Sequence, residues 1–452
     1  MSNLKHSPYM TKYYKFLIMV VDFITLFICF GLVYFLRFDQ IDITFFTNIE
    51  LWASSALTLI SFYIFGCYEL DSGATVLQIV RNTIMALVLS QLIIVFANYF
   101  LALNRTDFFG RGILIGGALI FGFVTVTKRV IAVHFFRSLS AAHKWLFLVD
   151  DDKMEALAND HLSKNLTGEV VYRKTSDFTT NASSFEKLIE EKWRAIVCVT
   201  DFSKMSTDLE SRFVYAKLSG HNIMDYAGFS EQYLGKVPIN FLKAEWFITA
   251  PRFILLNDPI GLRLKRIGDL LFSTLLIVVT WPIMLLTAFC IRLESRGPAI
   301  FKQVRSGKYN KDFVLFKFRS MRIDAEKDGA MWSVENDSRV TKVGQFIRAA
   351  RFDELPQLIN VFKGEMSFIG PRPERPIFNE QLEKMIPHYN LRHLVRPGLT
   401  GWAQVSFPYG STVDDSREKL KFDLYYIKHY SVMLDLIILI KTVRVVINRL
   451  GR

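Results

Sequence analysis

The sequence is poor in cysteine, and the cysteines it has follow no useful pattern. The four in 452 residues are Cys29, Cys67, Cys198 and Cys290, and no two of them form a CxxC pair. Zinc sites and disulfide frameworks need cysteines at paired spacings, so the sequence predicts neither. A signal-peptide cleavage site is also missing after the first apolar run, which indicates an uncleaved first membrane span.

Acidic residues are too few to balance the basic ones in only one part of the chain. Residues 251–452 hold 32 Lys and Arg against 20 Asp and Glu, whereas the first 250 residues hold 23 of each. A basic surplus of this kind indicates anionic lipid head groups, phosphorylated substrates, or both as partners. The ordinary excess of positive charge beside a membrane explains part of it. No nucleic-acid partner is expected.

Apolar residues are abundant. They form 51% of the chain, and its mean hydropathy of +0.23 predicts an integral membrane protein. A helix needs about 20 apolar residues to cross a bilayer, and four runs near this length occur at about 16–36, 51–68, 83–103 and 112–135. The basic residues around them place both ends of this region in the cytoplasm. Asp22, inside the first run, requires a buried partner.

Residues 144–250 change to short strands that alternate with helices, which is typical of a small α/β domain with a parallel, Rossmann-like sheet. The strand segments read KWLFLVDDD, GEVVYRK and RAIVCVT. A nucleotide-binding sheet needs a glycine-rich turn after its first strand, but the turn here is Asp150, Asp151, Asp152. Three carboxylates repel phosphate, so an assembly or regulatory role is favoured over cofactor binding.

A fifth apolar run, residues 267–291, lies in the basic part of the chain. Trp281 and Pro282 interrupt it, and proline inside a helix removes a backbone hydrogen bond. Basic residues flank both ends, which places both ends on one membrane face. The run is predicted to form a helix, a break and a second helix that dip into the bilayer and return. The last apolar stretch, 432–450, contains charges and is predicted to be an interfacial helix.

The stretch RFDELPQLINVFKG places Asp353 and Glu354 side by side among apolar residues. One interpretation is structural: Asp353 caps the helix that follows, and Glu354 complements the dipole of that helix. The other is catalytic, because basic residues able to bind phosphate occur in neighbouring motifs. These residues are Lys317, Arg319, Arg348, Arg351, Arg372, Arg375 and Arg396.

Residues 262–450 resemble the catalytic domain of bacterial polyprenyl-phosphate sugar-1-phosphate transferases, which initiate exopolysaccharide, capsule and O-antigen lipopolysaccharide synthesis. The shared motifs are KRIGDLLFS, KFRSM, DELPQLINVFKGEMSFIGPRPE, RPGLTGWAQV and YYIKHYSVMLDL. A series of long motifs in one order makes the resemblance specific. The N-terminal spans and the α/β domain resemble the long form of the family by layout.

The resemblance implies covalent catalysis by a carboxylate. Asp353 would attack the sugar-linked phosphorus of a UDP-sugar, release UMP and hold the sugar phosphate until undecaprenyl phosphate accepts it. Glu354 would help to bind Mg²⁺, the expected cofactor. The residues expected to bind substrate phosphate are Lys317, Arg319, Arg348 and Arg372.

The resulting fold prediction is a mixed membrane protein in three parts. These are a four-helix transmembrane domain (1–140), an α/β domain (144–250) and a monotopic α/β catalytic domain (251–452) that includes the re-entrant helix. The catalytic domain is expected on the cytoplasmic face of the bacterial inner membrane, where a UDP-sugar can meet a lipid phosphate. A homodimer is expected, with the α/β domain as the candidate pairing element.

Two alternative functions stay open at this point. A membrane glycosyltransferase would transfer the sugar alone and release UDP. A non-catalytic scaffold would recruit other polysaccharide-assembly proteins. The sugar stays open among glucose, galactose and N-acetylated hexoses. The polar segment AMWSVENDS, residues 330–338, is expected to cover the nucleotide.

Overall fold

The computed structural model of the protein describes residues 8–40, 46–68, 76–101, 111–140, 144–150, 169–179, 182–191, 193–199, 205–242, 244–249, 253–325, 337–407, 410 and 412–447. Contacts within the chain divide it into two compact units, Met1–Tyr233 and Leu234–Arg452. Each unit has its own apolar core.

Four apolar helices open the first unit. They are α1 (Pro8–Phe38), α2 (Ile49–Ile64), α3 (Val76–Leu101) and α4 (Arg111–Ser140). Helices α1, α3 and α4 each contain a segment long and apolar enough to cross a membrane. Helix α2 has 16 residues, about 24 Å at the usual rise, which is shorter than a hydrocarbon core of about 30 Å. Three of the four predicted N-terminal spans are confirmed at sufficient length, and the length predicted for the second is wrong.

Asp22 has the basic partners that its position in α1 requires. Its carboxylate lies 2.9 Å from Lys128 Nζ and 2.7 Å from Arg129 Nη2, and the Asp22 and Arg129 side chains are almost fully buried. The Arg129 guanidinium also lies over the rings of Phe62 and Tyr68. These contacts join α1 to α4 by charge as well as by packing.

The rest of the first unit is a four-stranded parallel sheet with helices. Its strand order is β2-β1-β3-β4, which confirms the predicted parallel α/β arrangement. The acidic turn after β1 lies, beyond Asp150, outside the described residues. The elements are β1 (Lys144–Val149), β2 (Glu169–Lys174), α5 (Ser176–Thr179), α6 (Ala182–Glu190), β3 (Trp193–Cys198), α7 (Thr207–Leu218), β4 (Ile223–Asp225) and α8 (Tyr226–Phe229).

The second unit contains one very long helix, two small sheets and several shorter helices. Strands β5 and β6 form an antiparallel hairpin, and β7 and β8 pair in parallel. The helices are α9 (Ala244–Thr249), α10 (Ile254–Asn257), α11 (Pro259–Glu294), α12 (Lys342–Ala349), α13 (Gln357–Lys363), α14 (Pro376–Met385), α15 (Trp402–Ser406), α16 (Val413–Lys428) and α17 (Val432–Ile447). The strands are β5 (Ile300–Ser306), β6 (Asp312–Phe318), β7 (Ser367–Ile369) and β8 (Gly398–Thr400).

Helix α11 corrects one detail of the predicted membrane run. The predicted break at Trp281 and Pro282 is wrong as an interruption of helical structure, because one helix of 36 residues continues through Pro282. Proline removes a single N–H donor, and the neighbouring hydrogen bonds can keep the helix continuous. Trp281 is 54% exposed, and only 11% of the apolar segment of α11 is buried. Its length and composition would allow it to cross a membrane.

The N-terminal end of α11 is bonded to the folded part of the second unit. Arg266 donates to the carbonyl oxygens of Val361 (2.7 Å) and Phe362 (2.8 Å), which lie near the end of α13. The buried Asp269 carboxylate accepts a hydrogen bond from Ser367 Oγ at 3.0 Å. Polar contacts therefore fix the N-terminal part of this apolar helix to the second unit.

The C-terminal end of α11 is bonded to the same unit. Glu294 accepts a hydrogen bond from the backbone N–H of Val343, at the start of α12. The buried Arg319 guanidinium donates to the carbonyl oxygens of Ser295 (2.9 Å) and Arg296 (3.0 Å). Both ends of a helix that is mostly apolar and exposed are thus held by one compact unit.

The last apolar stretch forms the helix α17. Ile438 is fully buried in the core of the second unit, whereas Val432, Met433, Leu436 and Val443 are exposed. One face of α17 packs on the protein, and apolar side chains stand on another. The helix is confirmed, and its place in a membrane interface stays a prediction.

Candidate active site

The adjacent carboxylates lie in a short 3₁₀ turn, Phe352–Glu354, between α12 and α13. Arg351, just before it, has φ of 57° in the left-handed region, which is unfavourable for a residue with a side chain. Helix α13 starts after Pro356 and has no side-chain cap. The interpretation of Asp353 as a helix cap is therefore wrong, because the turn separates it from the helix.

Glu354 is held by two guanidinium groups. Its Oε1 accepts hydrogen bonds from Arg351 Nη1 at 3.0 Å and from Arg372 Nη2 at 3.1 Å. Burial alone would raise the pKa of Glu354, but the charges and hydrogen bonds of Arg372 and Arg351 outweigh burial and lower it. Glu354 is therefore ionised at neutral pH and fixed in orientation.

Asp353 is in the opposite electrostatic situation. Burial, reinforced by the neighbouring charge of Glu354, raises the pKa of Asp353 to about 6. The positive charges of Arg348, Lys317 and Arg351 act against this rise. Its Oδ1 is buried and has no hydrogen-bond partner within the described part of the chain. An ionised carboxylate that lacks a donor is poorly stabilised and is available to react.

Lys317, on strand β6 of the hairpin, lies near Asp353. It pairs with Phe301 across β5 and β6, and its Nζ is 5.2 Å from the Phe301 ring centroid. Burial and the charge of Arg305 lower the pKa of Lys317, Asp353 partly offsets them, and the resulting pKa is about 8. Lys317 is thus a cation that can lose its charge slightly above neutral pH.

Two of the predicted phosphate-binding arginines lie around the same turn. Arg348, on α12, donates from Nε to Ser320 Oγ at 2.8 Å and contributes positive charge to the environment of Asp353. Arg372 reaches Glu354 directly, and its side chain is 42% exposed, so part of it can meet a ligand. The structure therefore brings Arg348, Arg372 and Lys317 together with the carboxylates.

Arg319 is placed differently. Strand β6 ends at Phe318, and the Arg319 side chain turns to the C-terminal end of α11 instead of continuing the strand. All its hydrogen bonds to described residues go to Ser295 and Arg296. This position explains a role in holding the membrane helix, and a contact with substrate phosphate stays a prediction.

Every backbone carbonyl oxygen in the segment around Arg372 accepts a hydrogen bond. The segment Pro371–Glu374 contains two prolines, which have no N–H to donate. Its four carbonyl oxygens accept bonds from four different donors. In order, these donors are Gly398 N, an Arg392 guanidinium N, an Arg305 guanidinium N and Ser306 N. The segment is therefore a rigid arm that presents the Arg372 side chain to Glu354.

Arg392 and Arg305, which support this arm, were not predicted as site residues. Arg392 is buried, pairs with the buried Asp423 at 2.9 Å and donates to Tyr389 Oη. Burial raises the pKa of Asp423 to about 6 even with Arg392 beside it. The sequence signal was an aspartate in an otherwise apolar stretch of α16, which required a basic partner somewhere in the fold.

The carboxylate turn can accommodate a magnesium ion. Mg²⁺ uses one or two carboxylates and completes its shell with water and substrate phosphate oxygens. Glu354 bonds both arginines through one oxygen, Oε1, and Asp353 Oδ1 has no donor in the described chain. Among those residues no cluster of three His, Cys, Asp or Glu side chains occurs. The donor set fits a Mg²⁺ whose remaining ligands come from a diphosphate and water.

Sequence similarity to known proteins is independent evidence on this site. The family profile "Bacterial sugar transferase" matches residues 260–449. The UDP-N-acetylgalactosamine-undecaprenyl-phosphate N-acetylgalactosaminephosphotransferase of Aeromonas hydrophila is 46% identical over 222 residues, 49% of this chain and 51% of the relative. The UDP-glucose:undecaprenyl-phosphate glucose-1-phosphate transferase of Klebsiella pneumoniae is 42% identical over 188 residues, 41% of this chain and 40% of the relative.

A shorter relative is matched over nearly its whole length. The exopolysaccharide production protein PSS of Rhizobium leguminosarum bv. phaseoli is 40% identical over 186 residues, 40% of this chain and 93% of the relative. The chain spans only about half, or less, of the first two relatives. The profile match lies wholly within the second unit, which carries the carboxylate turn. The chain belongs to the bacterial sugar transferase family.

Proposed function

We propose that the protein transfers a sugar-1-phosphate from a UDP-sugar to undecaprenyl phosphate, as the first membrane step of a polysaccharide pathway. The observation that carries the proposal is the Asp353 carboxylate, whose Oδ1 has no donor among the described residues and which lies among the cations Lys317 and Arg348. A carboxylate can attack phosphorus only where nearby positive charge offsets its repulsion from phosphate oxygens.

The reaction has two displacement steps. A carboxylate oxygen of Asp353 forms a bond to the sugar-linked phosphorus, and the bond from that phosphorus to the UMP oxygen breaks, so UMP leaves with the electron pair. A phosphate oxygen of undecaprenyl phosphate then attacks the same phosphorus. The acyl phosphate bond breaks and Asp353 returns as a carboxylate. Arg372 and Lys317 neutralise the phosphate oxygens in both steps.

Glu354, with Asp353 beside it, would hold Mg²⁺ together with the diphosphate. A bound Mg²⁺ supplies charge neutralisation that makes UMP a better leaving group. Glu354 suits this role because its lowered pKa keeps it ionised, while Arg351 and Arg372 fix its orientation. The division of work between the two carboxylates follows from their environments, since pKa values pushed apart assign different roles.

We also propose that α11 bends at Pro282 while staying helical, so that it enters and leaves one leaflet. Its two ends are bonded to the same compact unit, at Asp269 on one side and Glu294 on the other. A helix that crossed the bilayer would carry these ends to opposite faces. A dipping helix keeps the catalytic unit on the cytoplasmic face of the inner membrane, where UDP-sugars are found. Dimer formation, the Rossmann-like character of residues 144–250 and an assembly or regulatory role for them stay predictions.

The products distinguish this reaction from simple sugar transfer. Purified protein, undecaprenyl phosphate and Mg²⁺ are incubated with UDP-glucose, UDP-galactose and their N-acetylated forms, and nucleotides are separated by chromatography. UMP is expected for at least one donor. UDP as the product would support a glycosyltransferase, and no nucleotide release would support a scaffold. The panel is needed because the named relatives use different sugars, N-acetylgalactosamine and glucose.

The reaction should show a bell-shaped dependence of kcat/KM on pH. Asp353 must be ionised, so the rate rises as pH increases through its pKa of about 6, a value raised by burial. Lys317 must be charged, so the rate falls above its pKa of about 8, a value lowered by burial. Initial UMP release measured between about pH 4 and pH 10, about two units beyond each pKa, tests both expectations.

Lys317→Arg provides the sharper test of the alkaline limb. A guanidinium stays protonated throughout this range, so the fall above pH 8 should disappear even if the maximal rate is lower. Lys302→Arg, at an exposed position on the neighbouring strand, is the matched control and should keep the limb. An unchanged alkaline limb in Lys317→Arg would show that another group titrates there.

A further inference from the structure

A second basic cavity lies in the same unit as the carboxylate turn. Its volume is about 60 Å³, room for a few water molecules or one phosphate group, since a single water needs roughly 10–15 Å³. Its walls are the first turns of α11, strand β7 and the loops at 308–309 and 394–396. The charged or aromatic side chains that line it are Lys265, Arg266, Asp269, Lys308, Tyr309 and Arg396.

The two carboxylates near the cavity, Asp269 and Asp435, already have hydrogen-bond or ion-pair partners. Asp269 accepts hydrogen bonds from Ser367 Oγ and a backbone N–H. Lys265 pairs with Asp435 at 2.9 Å. The charges of Lys265, Asp269 and Asp435 therefore nearly cancel. Arg266 bonds only backbone carbonyl oxygens among described residues, and carbonyls do not neutralise its charge.

Lys308 and Arg396 add two positive charges to this balanced core. The Lys308 Nζ lies 4.7 Å from the Tyr309 ring centroid, and Arg396 is exposed. The four lining bases exceed the two acids, Asp269 and Asp435, by two charges. A cavity of this size with that surplus favours a small dianion or monoanion, and phosphate suits the forked guanidinium donors.

The cavity also lies beside the N-terminal turns of α11, the helix proposed to enter the membrane. The turns of α11 that form its wall carry Ile260, Leu264 and Ile267 on their outer face, each more than half exposed. Tyr309 is 62% exposed, and tyrosine is enriched at the membrane interface. A phosphate attached to a membrane lipid therefore has a path of apolar contacts to this place.

The cavity is close to the carboxylate turn along the chain. Ile369 lines the cavity, and Arg372, three residues later, contacts Glu354. The Cα atoms of Ile369 and Arg372 are therefore at most about 10 Å apart. We propose that the cavity binds the phosphate group of a membrane lipid, next to the reaction centre. This rests on the proposed function for its biological meaning, because that reaction consumes a lipid phosphate.

The test uses the full chain in nanodiscs and two variants, Lys308→Gln and Arg396→Gln. If the cavity takes the acceptor, the KM for undecaprenyl phosphate rises about tenfold, the range of a lost charged hydrogen bond. The single-turnover release of UMP before acceptor is added stays unchanged. If the cavity takes a bulk phospholipid, KM stays the same, but stimulation by phosphatidylglycerol over phosphatidylcholine is lost. Either result supports a lipid-phosphate site.

Lys302→Gln removes the same charge at an exposed position outside the cavity and serves as the control. The proposal is overturned if both variants behave like this control, or if the KM for UDP-sugar rises instead. A separate readout needs no catalysis: undecaprenyl phosphate or phosphatidylglycerol should raise the Tm of wild type more than that of the variants. This readout stands even if the wild type releases no UMP.

Discussion

Asp353→Asn should reduce UMP release by a factor on the order of 10³ or more, the scale seen when a catalytic nucleophile is lost. The amide has the same size but lacks the anionic oxygen that forms the bond to phosphorus. The labelled sugar phosphate should also fail to attach to the protein. UMP chromatography and mass spectrometry of the digested, acid-quenched half-reaction measure the two effects.

The same variant should not be destabilised, and this separates a catalytic role from a structural one. The folded-state pKa of Asp353 is about 6, above its ordinary value of 3.8. At pH 7 the folded state therefore holds an ionised group that it disfavours. Removing the charge should leave Tm equal or higher. Asp312→Asn, at an exposed position on β6, is the control for both assays. A wild-type rate in Asp353→Asn, or label on another residue, would contradict the mechanism.

Local sequence pointed to the groups proposed to react because they are contiguous or lie in recognisable motifs. Asp353 and Glu354 are neighbours in the chain, and Lys317, Arg348 and Arg372 stand in segments shared with a known family. The opposite electrostatic environments of the two carboxylates could not be predicted. Those environments depend on Arg372, 18 residues beyond Glu354, and on how deeply the turn is buried.

Three predictions met separate physical obstacles, two of them local and one a tertiary contact. The cap interpretation of Asp353 failed because the unfavourable backbone of Arg351 inserts a separate turn before α13. Arg319 left the strand pattern because the end of α11 offers it buried carbonyl oxygens. Pro282 did not interrupt α11, since neighbouring hydrogen bonds tolerate one missing donor.

Arg392→Met should lower the free energy of unfolding by about 3–5 kcal/mol, because it leaves the buried Asp423 carboxylate without its cation. The two side chains lie 2.9 Å apart and are almost fully buried. Activity should fall as well, because the carbonyl of Arg372 loses its donor. Guanidinium titration in detergent and UMP release measure the two effects. Lys236→Met, which breaks a less buried pair with Glu418 in the same unit, should cost less stability and leave UMP release unchanged.

The double variant Arg392→Met with Asp423→Leu distinguishes stability from positioning. Apolar replacement of a whole buried ion pair is often neutral or stabilising, so most of the lost unfolding free energy should return. UMP release should stay low, because the Arg372 carbonyl still has no donor and the arm remains loose. If the double variant recovers both stability and activity, Arg392 serves only to pair with Asp423. If it recovers neither, the site needs the charged pair itself to fold, because its hydrogen bonds to Tyr389 and to the arm form one unit.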